Sequence, residues 1–493
     1  MKNNESVPNL LLIGTDQMRW DSPGCNGNPV CRTPNIDRLA ASGVNYRRAY
    51  APASLCAPAR ASMWTGRHAF NHGMGTNCDM YHALSRELAE PNTLLHKRLL
   101  ERGDRCAYFG KWHVGAETGP GDHGFEGLNL PGYGNVAADP GYHEYLRSIG
   151  HPDIAIDHAL YLNPGEKTMA AGRRCGPVEA TPAGYLCRQT IRQLETFAEG
   201  EAPFFLTCQF WGPHMPHLPS EEFYGLHDRA SIEPWVNFDD DLTDKPARLR
   251  RERRDFYRQP PQGWDEWREL VGCYDDFCAM IDDRIGKILE ALDRLGLREN
   301  TIVAFTSDHG DMTGSHGGLL DKGFIYEEAH KVPLIVSWPG VIQPGESDAP
   351  VYNMDLLPTY FAFRDLPLGD IDAAPLPDLG LDPAPARRDK LYLEFHGLRS
   401  LYTQRALVTD DGWKYVFTPG DFDEVYDLNE DPGELRNRID DPALADRIRA
   451  LRDRMVATAH ELGDPVTDNM AKLFGEWKNR SGQPDATAQW ASG

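Results

Sequence analysis

The stretch Asn9-Leu-Leu-Leu-Ile-Gly-Thr-Asp16-Gln17 sets an unbroken apolar run directly before two polar side chains. A short run of this kind predicts a strand that is buried on both faces. Three further runs have the same form, at Arg105 to Phe109, Pro203 to Phe210 and Thr301 to Ser307. Helical patterns lie between the runs, and strands that alternate with helices indicate an α/β fold with a mostly parallel sheet flanked by helices.

Each of the four runs ends at a polar motif. Ligands of open α/β sheets bind beyond the carboxyl ends of the parallel strands, so we expect the motifs to meet in one site. In chain order they are Asp16-Gln17, Gly110-Lys111-Trp112-His113, Gly212-Pro213-His214-Met215-Pro216-His217 and Asp308-His309-Gly310-Asp311.

The pentapeptide Cys56-Ala-Pro58-Ala-Arg60 sets a nucleophile-capable side chain beside a cation. The residues after Pro58 predict a helix, so Cys56 lies at its start, where free backbone N–H groups favour negative charge. Arg60 lies four residues further on and shares the same helix face. A tetrahedral anion fits these groups. On the pentapeptide alone, a buried thiol and an exposed arginine explain the pattern equally well.

Cys56 to Arg60 resembles the signature Cys-x-Pro-x-Arg of the sulfatase family, and Thr65-Gly66-Arg67 continues the match. The resemblance implies the alkaline-phosphatase-like fold of the formylglycine-dependent type I sulfatases. It also implies that a maturation enzyme converts Cys56 to Cα-formylglycine, whose hydrated aldehyde supplies the attacking oxygen. The expected substrate is a small anionic sulfate ester.

Two adjacent pairs at two strand ends combine three oxygen-bearing side chains with one imidazole: Asp16 with Gln17, and Asp308 with His309. Hard divalent cations prefer carboxylate and amide oxygens, and an imidazole widens the choice towards Mn²⁺ or Zn²⁺. For either pair alone, an aspartate that caps the following helix is an equally good explanation. Both pairs match the metal positions of the family, which implies one divalent ion that also binds an oxygen on modified Cys56.

The two pairs depart from the commonest sulfatase pattern, which has a second Asp in place of Gln17 and an Asn in place of His309. Gln and His at these positions are similar to those of choline sulfatases and phosphonate monoester hydrolases. The change weakens the case for Ca²⁺ without reversing it, and Mn²⁺ is the alternative.

Lys111 and His113 alternate along a segment that we expect to be extended, so their side chains can point the same way. An ammonium there can hold an anion while the imidazole exchanges a proton. Taken alone, the two are ordinary surface residues. The resemblance assigns Lys111 to sulfate binding and His113 to handling the diol, and phosphonate monoester hydrolases lack this pair.

His214 stands between Pro213 and a second proline, which stiffen its backbone. The resemblance assigns His214 to protonating the leaving alcohol, with His217 as the alternative. Lys322 matches the family lysine that binds sulfate and assists the leaving group. Without the resemblance, Lys322 would be a loop charge or a helix C-cap.

Four further residues are candidates for substrate specificity. For each of them the sequence favours an ordinary solvent-exposed side chain. They are His316, Glu327, Glu328 and His396.

The formal net charge of −23 argues against a nucleic-acid partner, because phosphate binding needs a basic face. An anionic substrate therefore needs a local cluster of positively charged side chains. The ten cysteines lack the dense spacing of a disulfide scaffold. The polar residues 1–8 lead into an apolar run that is too short for a secretory or membrane-spanning segment. We expect a cytoplasmic protein without a membrane partner, and a homo-oligomer is left open.

The rest of the chain divides into recognisable segments. Trp264 to Leu295 has the spacing of a long helix, whereas Asp239 to Gln262 is dense in charge and is interpreted as a solvated insertion. Residues 364–390 lack periodicity and indicate a linker or surface excursion. Short strand-like runs follow, and then a helix from Pro442 to Leu462. The runs are Lys390 to Phe395, Ala406 to Thr409, Trp413 to Phe417 and Glu424 to Leu428.

These segments predict a catalytic domain over residues 1–375 and a smaller α+β domain over residues 376–493, with an antiparallel sheet and a helix. The expected activity is metal-dependent hydrolysis of a sulfuric ester. The mechanism implied by the resemblance has Asp308 take a proton from the diol, His214 protonate the departing alkoxide and His113 expel sulfate. Arg60, Lys111 and Lys322 would stabilise the growing charge.

Two alternatives stay open. The nearer one is a phosphonate monoester or phosphodiester hydrolase on the same scaffold. The more distant one is a noncatalytic metal or anion binder in which Cys56 stays a thiol. Aromatic, choline and sugar sulfates are all open as substrates.

Overall fold

The computed structural model describes residues 7–89, 92–162, 168–256, 263–398, 401–467 and 470. A central eight-stranded sheet carries helices on both faces, and a four-stranded sheet follows near the C-terminus. The strands are β1 (Asn9–Asp16), β2 (Val44–Tyr46), β3 (Ala49–Tyr50), β4 (Arg105–Gly110), β5 (Glu126–Gly127), β6 (Ile156–Tyr161), β7 (Met169–Arg174), β8 (Phe204–Pro213), β9 (Thr301–Ser307), β10 (Leu334–Ser337), β11 (Gly345–Ser347), β12 (Val351–Tyr352), β13 (Lys390–Gly397), β14 (Leu401–Thr409), β15 (Trp413–Phe417) and β16 (Glu424–Asp427). The helices are α1 (Pro34–Ala41), α2 (Cys56–Thr65), α3 (Ala69–His72), α4 (Lys97–Leu100), α5 (Pro140–Ser148), α6 (Pro182–Ala198), α7 (Ala247–Phe256), α8 (Trp264–Arg294), α9 (Ser315–Gly318), α10 (Glu327–His330), α11 (Leu356–Ala362) and α12 (Ala445–Leu462).

The central sheet has the order β11-β2-β10-β9-β1-β8-β4-β5. The four apolar runs found in the sequence form β9, β1, β8 and β4, which are neighbours and mutually parallel. Strand β10 runs antiparallel to both β9 and β2. The predicted mostly parallel α/β sheet is therefore confirmed.

Strand β1 is an unbroken apolar run because it is covered on both faces. Leu10 and Leu12 belong to one hydrophobic core, and Leu11 and Ile13 belong to a second core on the other side of the sheet. Residues of α2 and α11 fill the first core, and residues of α6 and α8 fill the second. Alternate side chains of a strand point to opposite faces, so both sets must be apolar here.

The C-terminal part of the chain forms the predicted antiparallel sheet, in the order β13-β14-β15-β16. Helix α12 packs on this sheet through a core that includes Leu451 and Met455. Residues 363–389 are all described and contain neither helix nor strand, but the expected surface excursion is wrong in part, because Leu376 and Leu379 are buried in the core on one face of the central sheet. The division of the chain at residue 375 stays a prediction.

Helix α8 (Trp264–Arg294) matches the predicted long helix to within one residue. The charge-dense segment before it is not simply solvated, because Asp240, Leu242 and Lys245 are buried. Leu242 packs into a small apolar core, and Lys245 donates to the backbone oxygen of Leu435 at 2.9 Å. The predicted insertion is therefore wrong for its first part, while residues 257–262 lie outside the described residues.

Among the residues that the structure describes, no helix is long and apolar enough to cross a membrane. None of the ten cysteines forms a disulfide bond, and eight of them are buried. The cytoplasmic location stays a prediction.

Candidate active site

The four polar motifs meet at the carboxyl-terminal edge of β9, β1, β8 and β4. Asp16 is the last residue of β1, and Asp308 and Lys111 directly follow β9 and β4. His214 directly follows β8, and Cys56 reaches the same edge as the first residue of α2. The role of each residue stays a prediction, but the structure brings them together as the strand pattern indicated.

Cys56 is completely buried at the start of α2, where the helix dipole favours negative charge. Its Sγ lies 3.2 Å from Nε2 of His309 and 3.8 Å from Oδ1 of Asp16. The tautomer of His309 follows from its other ring nitrogen, because Nδ1–H donates to the backbone oxygen of Gly310 at 2.9 Å. Nε2 is therefore the unprotonated nitrogen that faces Cys56. Burial lowers the pKa of His309, so its Nε2 presents a lone pair to the site.

The two aspartates each have one oxygen held by a cation. Lys111 binds Oδ2 of Asp16, and Nε of Arg60 donates to Oδ2 of Asp308 at 2.9 Å. The remaining oxygens face Nε2 of His309, which lies 3.9 Å from Oδ1 of Asp16 and 3.8 Å from Oδ1 of Asp308.

This spacing fits one divalent ion. Ligand atoms that each lie about 2.0 to 2.6 Å from an ion are about 3 to 4 Å from one another. Ligand atoms of four buried residues lie within 4.8 Å of each other here: Asp16, Cys56, Asp308 and His309. Burial alone would raise the pKa of Asp16, but the ammonium of Lys111 lowers it well below its usual range, so Asp16 is ionised.

Arg60 is completely buried although it is charged. Besides its bond to Asp308, its Nη1 donates to the backbone oxygen of Lys111 at 2.8 Å and to Oε1 of Gln209 at 3.3 Å. Its Nη2 has no hydrogen-bond partner in the described part of the chain. An unpaired N–H of a buried guanidinium is costly, so Nη2 is a donor available to an oxyanion.

The position of Lys111 depends on the glycine that precedes it. Gly110 has φ +110°, and a Cβ there would lie 1.9 Å from the backbone oxygen of Gln209. Only glycine permits this close approach of β4 to β8. The ammonium of Lys111 lies 4.4 Å from the ring centre of Tyr133 and 5.2 Å from that of Trp211. Burial alone would lower the pKa of Lys111, but Asp16 raises it above its usual value.

Gln17 has φ +69°, in the left-handed region that few residues other than glycine adopt. Its backbone N–H donates to Oδ1 of Asp308 at 3.0 Å. Its Nε2 donates to Asp311 and, at 3.1 Å, to Asp321, while its Oε1 accepts from Lys322 at 2.8 Å. Gln17 thus lies beside the ion-fitting cluster with its amide oxygen turned to Lys322, and its role as a metal ligand stays a prediction.

His214 and His217 have different surroundings. Nε2 of His214 lies 2.7 Å from Nζ of Lys322 and 3.0 Å from the hydroxyl of Tyr133. Burial and the charge of Lys322 lower the pKa of His214 well below its usual range. His217 donates through Nδ1 to the backbone oxygen of Pro213 at 2.8 Å, and burial lowers its pKa to about 4. Of these two histidines, His214 is therefore the one whose ring contacts a cation of the site.

His113 does not continue an extended segment. Its φ is +57°, because β4 ends at Gly110 and the chain turns, with the N–H of His113 bound to the backbone oxygen of Gly132 at 3.0 Å. The expected alternation of Lys111 and His113 along a strand is therefore wrong. The ring of His113 nevertheless packs edge-on against Tyr133, with centroids 5.0 Å apart. Its Nε2 pairs with Asp79 at 3.1 Å, and its Nδ1 has no partner among the described residues.

Sequence reasoning missed the aromatic wall that covers Lys111. The ring of Tyr133 packs edge-on against Trp211, with centroids 4.5 Å apart. Tyr133 lies between two glycines, and at Gly134, with φ +65°, a Cβ would lie 2.8 Å from the backbone N of Trp112. The Gly-Tyr-Gly triplet was the available indication of a close backbone approach. Nothing comparable in the sequence indicates Asp79.

His316, Glu327 and Glu328 are buried rather than solvent-exposed, so the expectation for them is wrong. Nδ1 of His316 donates to Asp240 at 2.9 Å, and its Nε2 lies 3.5 Å from Glu328. Burial alone would lower the pKa of His316, but Glu328 and Asp240 raise it to about 9. Its partner Asp240 lies in the segment that we interpreted as a solvated insertion, so the sequence did not indicate the His316–Asp240 pair.

Glu327 accepts from the hydroxyl of Tyr50 at 2.6 Å and from Nζ of Lys414 at 3.2 Å. Lys414 also lies 2.8 Å from Glu434, so this buried acidic cluster already contains a cation. We therefore do not assign it a metal ion.

His396 is half-buried and pairs with Glu394 at 2.7 Å, so it too is not an ordinary solvated side chain.

Comparisons with known proteins identify the family of this chain. The Sulfatase family matches residues 8–363, and the family N-sulphoglucosamine sulphohydrolase, C-terminal, matches residues 314–461. An arylsulfatase of Clostridium perfringens (strain 13 / Type A) is 27% identical over 513 residues, which cover 95% of this chain and 98% of that protein.

Two solved structures share the fold. A phosphonate monoester hydrolase of Agrobacterium radiobacter has a TM-score of 0.75 at 24% identity, covering 92% of this chain and 96% of its own. A structure in complex with its substrate D-glucosamine-2-N,6-O-disulfate has a TM-score of 0.70 at 22% identity, covering 94% and 99%. Because the family match spans most of the length, from β1 to the end of α11, this chain belongs to the sulfatase family of hydrolases.

Proposed function

We propose that the protein hydrolyses a sulfate monoester at this sheet edge, with residue 56 as the nucleophile. The observation that carries the proposal is the set of three buried cations around Cys56, namely Arg60, Lys111 and Lys322. A sulfuryl group there would meet a guanidinium and two ammonium groups in a water-poor environment, where such stabilisation is strongest. Each cation also pairs with a carboxylate, namely Asp308, Asp16 and Asp321, so a bound divalent ion would supply the net positive charge that an anionic substrate needs in a chain of net charge −23.

The proposed nucleophile is formylglycine, made from Cys56 by a maturation enzyme. The support is the family signature from Cys56 to Arg60 and the position of Cys56 between Asp16 and His309. The hydrate of an aldehyde can release sulfate and regenerate the carbonyl group. A thiol has no such path, because its sulfur would stay bound to the sulfuryl group.

The proposed cofactor is one divalent ion held by Asp16, Asp308, His309 and residue 56, with Gln17 as the remaining candidate ligand. When bound, such an ion polarises the sulfate oxygens and favours ionisation of a hydroxyl group nearby. The hard oxygen donors favour Ca²⁺, and the imidazole of His309 keeps Mn²⁺ as the alternative.

The protein side chains would move the protons. Asp308 would accept the hydroxyl proton of residue 56 as it attacks. His214 and Lys322, which share a hydrogen bond, would together deliver a proton to the departing alkoxide. His113, whose Nδ1 has no described partner, would take the second hydroxyl proton and expel sulfate.

A phosphonate monoester or phosphodiester hydrolase is the second candidate, because Gln17 and His309 are similar to residues of that group. Lys111 and His113 favour the sulfatase. The test is to compare kcat/KM of the purified enzyme for 4-nitrophenyl sulfate and 4-nitrophenyl phenylphosphonate, which have the same leaving group. We expect the sulfate to be the better substrate, and preference for the phosphonate would overturn the proposal.

The noncatalytic alternative predicts no turnover of either ester and an unmodified thiol at Cys56.

A further inference from the structure

A cavity of about 200 Å³ lies beside the candidate active site and shares Trp211 and His214 with it. Trp211 covers the ammonium of Lys111 at 5.2 Å, and His214 holds Lys322 at 2.7 Å. If His214 protonates the leaving oxygen, the remainder of the leaving group must lie next to His214. The cavity is the space that the described residues leave there.

The walls of this cavity are mainly apolar. Trp211 and Phe277 supply aromatic faces, while Leu218 and Met280 supply aliphatic surface. An apolar cavity of about 150 Å³ is large enough to bind benzene in another protein. The present cavity therefore accommodates one aromatic ring with a short substituent.

One cation lines the cavity. Arg174, the last residue of β7, is half-buried there, and none of the described lining residues carries a carboxylate. No ion pair or side-chain hydrogen bond is found for Arg174 within the described ranges, whereas its neighbour Arg173 pairs with Asp157 at 2.6 Å. Burial lowers the pKa of Arg174, but a guanidinium remains charged at physiological pH.

A cation in a partly desolvated cavity is unfavourable unless an anion neutralises it. The surroundings of Arg174 add to the positive potential, because Thr181 and Pro182 at the start of α6 line the same cavity. The helix dipole favours negative charge at that end. An anionic group on a ligand would supply the missing counter-charge.

We propose that this cavity is the leaving-group subsite and that Arg174 selects esters of aromatic alcohols bearing a carboxylate. The inference rests on the proposed sulfatase function and narrows its substrate class. The ring lies against Trp211 and Phe277, and the carboxylate accepts hydrogen bonds from the guanidinium. The same charge repels a quaternary ammonium group, which disfavours choline sulfate.

The test uses two esters of nearly the same shape, 3-carboxyphenyl sulfate and neutral 3-carbamoylphenyl sulfate. We expect Arg174→Gln to lower kcat/KM for the carboxylate by about 10- to 100-fold, as for loss of a hydrogen bond to a charged group. The loss for the carbamoyl ester should stay below about 3-fold, since that ester has no charge to pair. Arg174→Lys should restore part of the preference.

Arg173→Gln is the matched control, because Arg173 precedes Arg174 on β7 but pairs with Asp157. It should affect both esters equally and slightly. Equal losses for the two esters in Arg174→Gln would overturn the inference while leaving the sulfatase function intact.

A binding measurement separates the two proposals. Calorimetric titration with 3-hydroxybenzoate, the product of the acidic ester, should give binding that Arg174→Gln removes and Arg173→Gln retains. If neither ester is hydrolysed but this pattern holds, the sulfatase function fails, and the cavity stands only as a binding site for an aromatic carboxylate. If 3-hydroxybenzoate does not bind and neither ester is hydrolysed, both proposals fail.

Discussion

Nζ of Lys322 donates a hydrogen bond to Nε2 of His214 across 2.7 Å. The ring cannot be the proton donor of this pair, because its Nδ1–H is already bound to the backbone oxygen of Met215. Burial alone would lower the pKa of Lys322, but Asp321 raises it well above its usual value. The proton of this pair therefore lies on Lys322, and an acid role for His214 would require the two side chains to act together.

His214→Ala and Lys322→Met should each lose activity in proportion to the basicity of the leaving group. A positioned acid contributes about 10²- to 10⁴-fold in rate when the leaving alkoxide is basic, and little when it is stable as an anion. Phenyl sulfate should therefore be slowed far more than 4-nitrophenyl sulfate. The measurement is kcat/KM of both variants with both esters.

His217→Ala is the matched control, since His217 is also buried but its ring, among the described residues, hydrogen-bonds to the backbone oxygen of Pro213 and to no cation of the site. It should slow both esters slightly and equally. Equal factors for the two esters in His214→Ala, or a graded loss in His217→Ala alone, would show that the acid is assigned wrongly.

Cys56→Ala should abolish turnover without unfolding the protein. The side chain is small and buried at the start of α2, and alanine is a good helix former, so the fold should tolerate the change. Mass spectrometry of the peptide containing residue 56 of active wild-type protein should find the aldehyde or its hydrate. An active enzyme whose Cys56 is entirely thiol would contradict the proposed nucleophile.

Asp16→Asn should reduce the bound metal from about one ion per chain to a small fraction, because a charged ligand at the centre of the cluster is lost. Elemental analysis of the purified protein gives the metal content directly. Asp275→Asn is the control: burial raises the pKa of Asp275 to about 8, so an uncharged amide replaces a largely protonated carboxyl. Equal metal content in the two variants would rule out the assigned cluster.

Four of the eight strands of the central sheet, β1, β4, β8 and β9, could be predicted because each is an apolar run that ends at a polar motif. The run in β1 is apolar on both faces, and the acid at its end follows without interruption. Parallel strands place their carboxyl ends along one edge, so Asp16 and Asp308 could be placed together before the structure was known. Local pattern and topology are sufficient for that inference.

Other parts of the site depend on pairs that are distant in sequence. His316 and Asp240 are separated by 76 residues, and neither has a local pattern that indicates burial. The left-handed backbone of His113 likewise depends on the turn that binds it to Gly132. Such pairings are set by tertiary packing, which overrides the average exposure of charged residue types.

The buried ion pair of His316 predicts a pH dependence of stability. The pKa of His316 is raised from 6.5 to about 9, so its stabilising contribution is complete below pH 6.5 and is lost as the pH rises through about 9. The difference between the two pKa values corresponds to about 3 kcal/mol in the free energy of unfolding. Burial raises the pKa of Glu434 to about 7, so Glu434 titrates in part of this range. Its contribution to the pH dependence of stability is removed by comparing wild type with a variant of His316.

His316→Asn is the appropriate variant, because asparagine tolerates the positive φ of +51° at this position. Urea unfolding of wild type and variant between pH 6 and 9.5 gives the difference in their free energies of unfolding, in which the contribution of Glu434 largely cancels. We expect wild type to be the more stable at pH 6 and its advantage to shrink by about 3 kcal/mol towards pH 9.5. The exposed residue His143, changed to Asn, should show no such trend. A constant difference between wild type and His316→Asn would mean that His316 is not protonated in the folded protein.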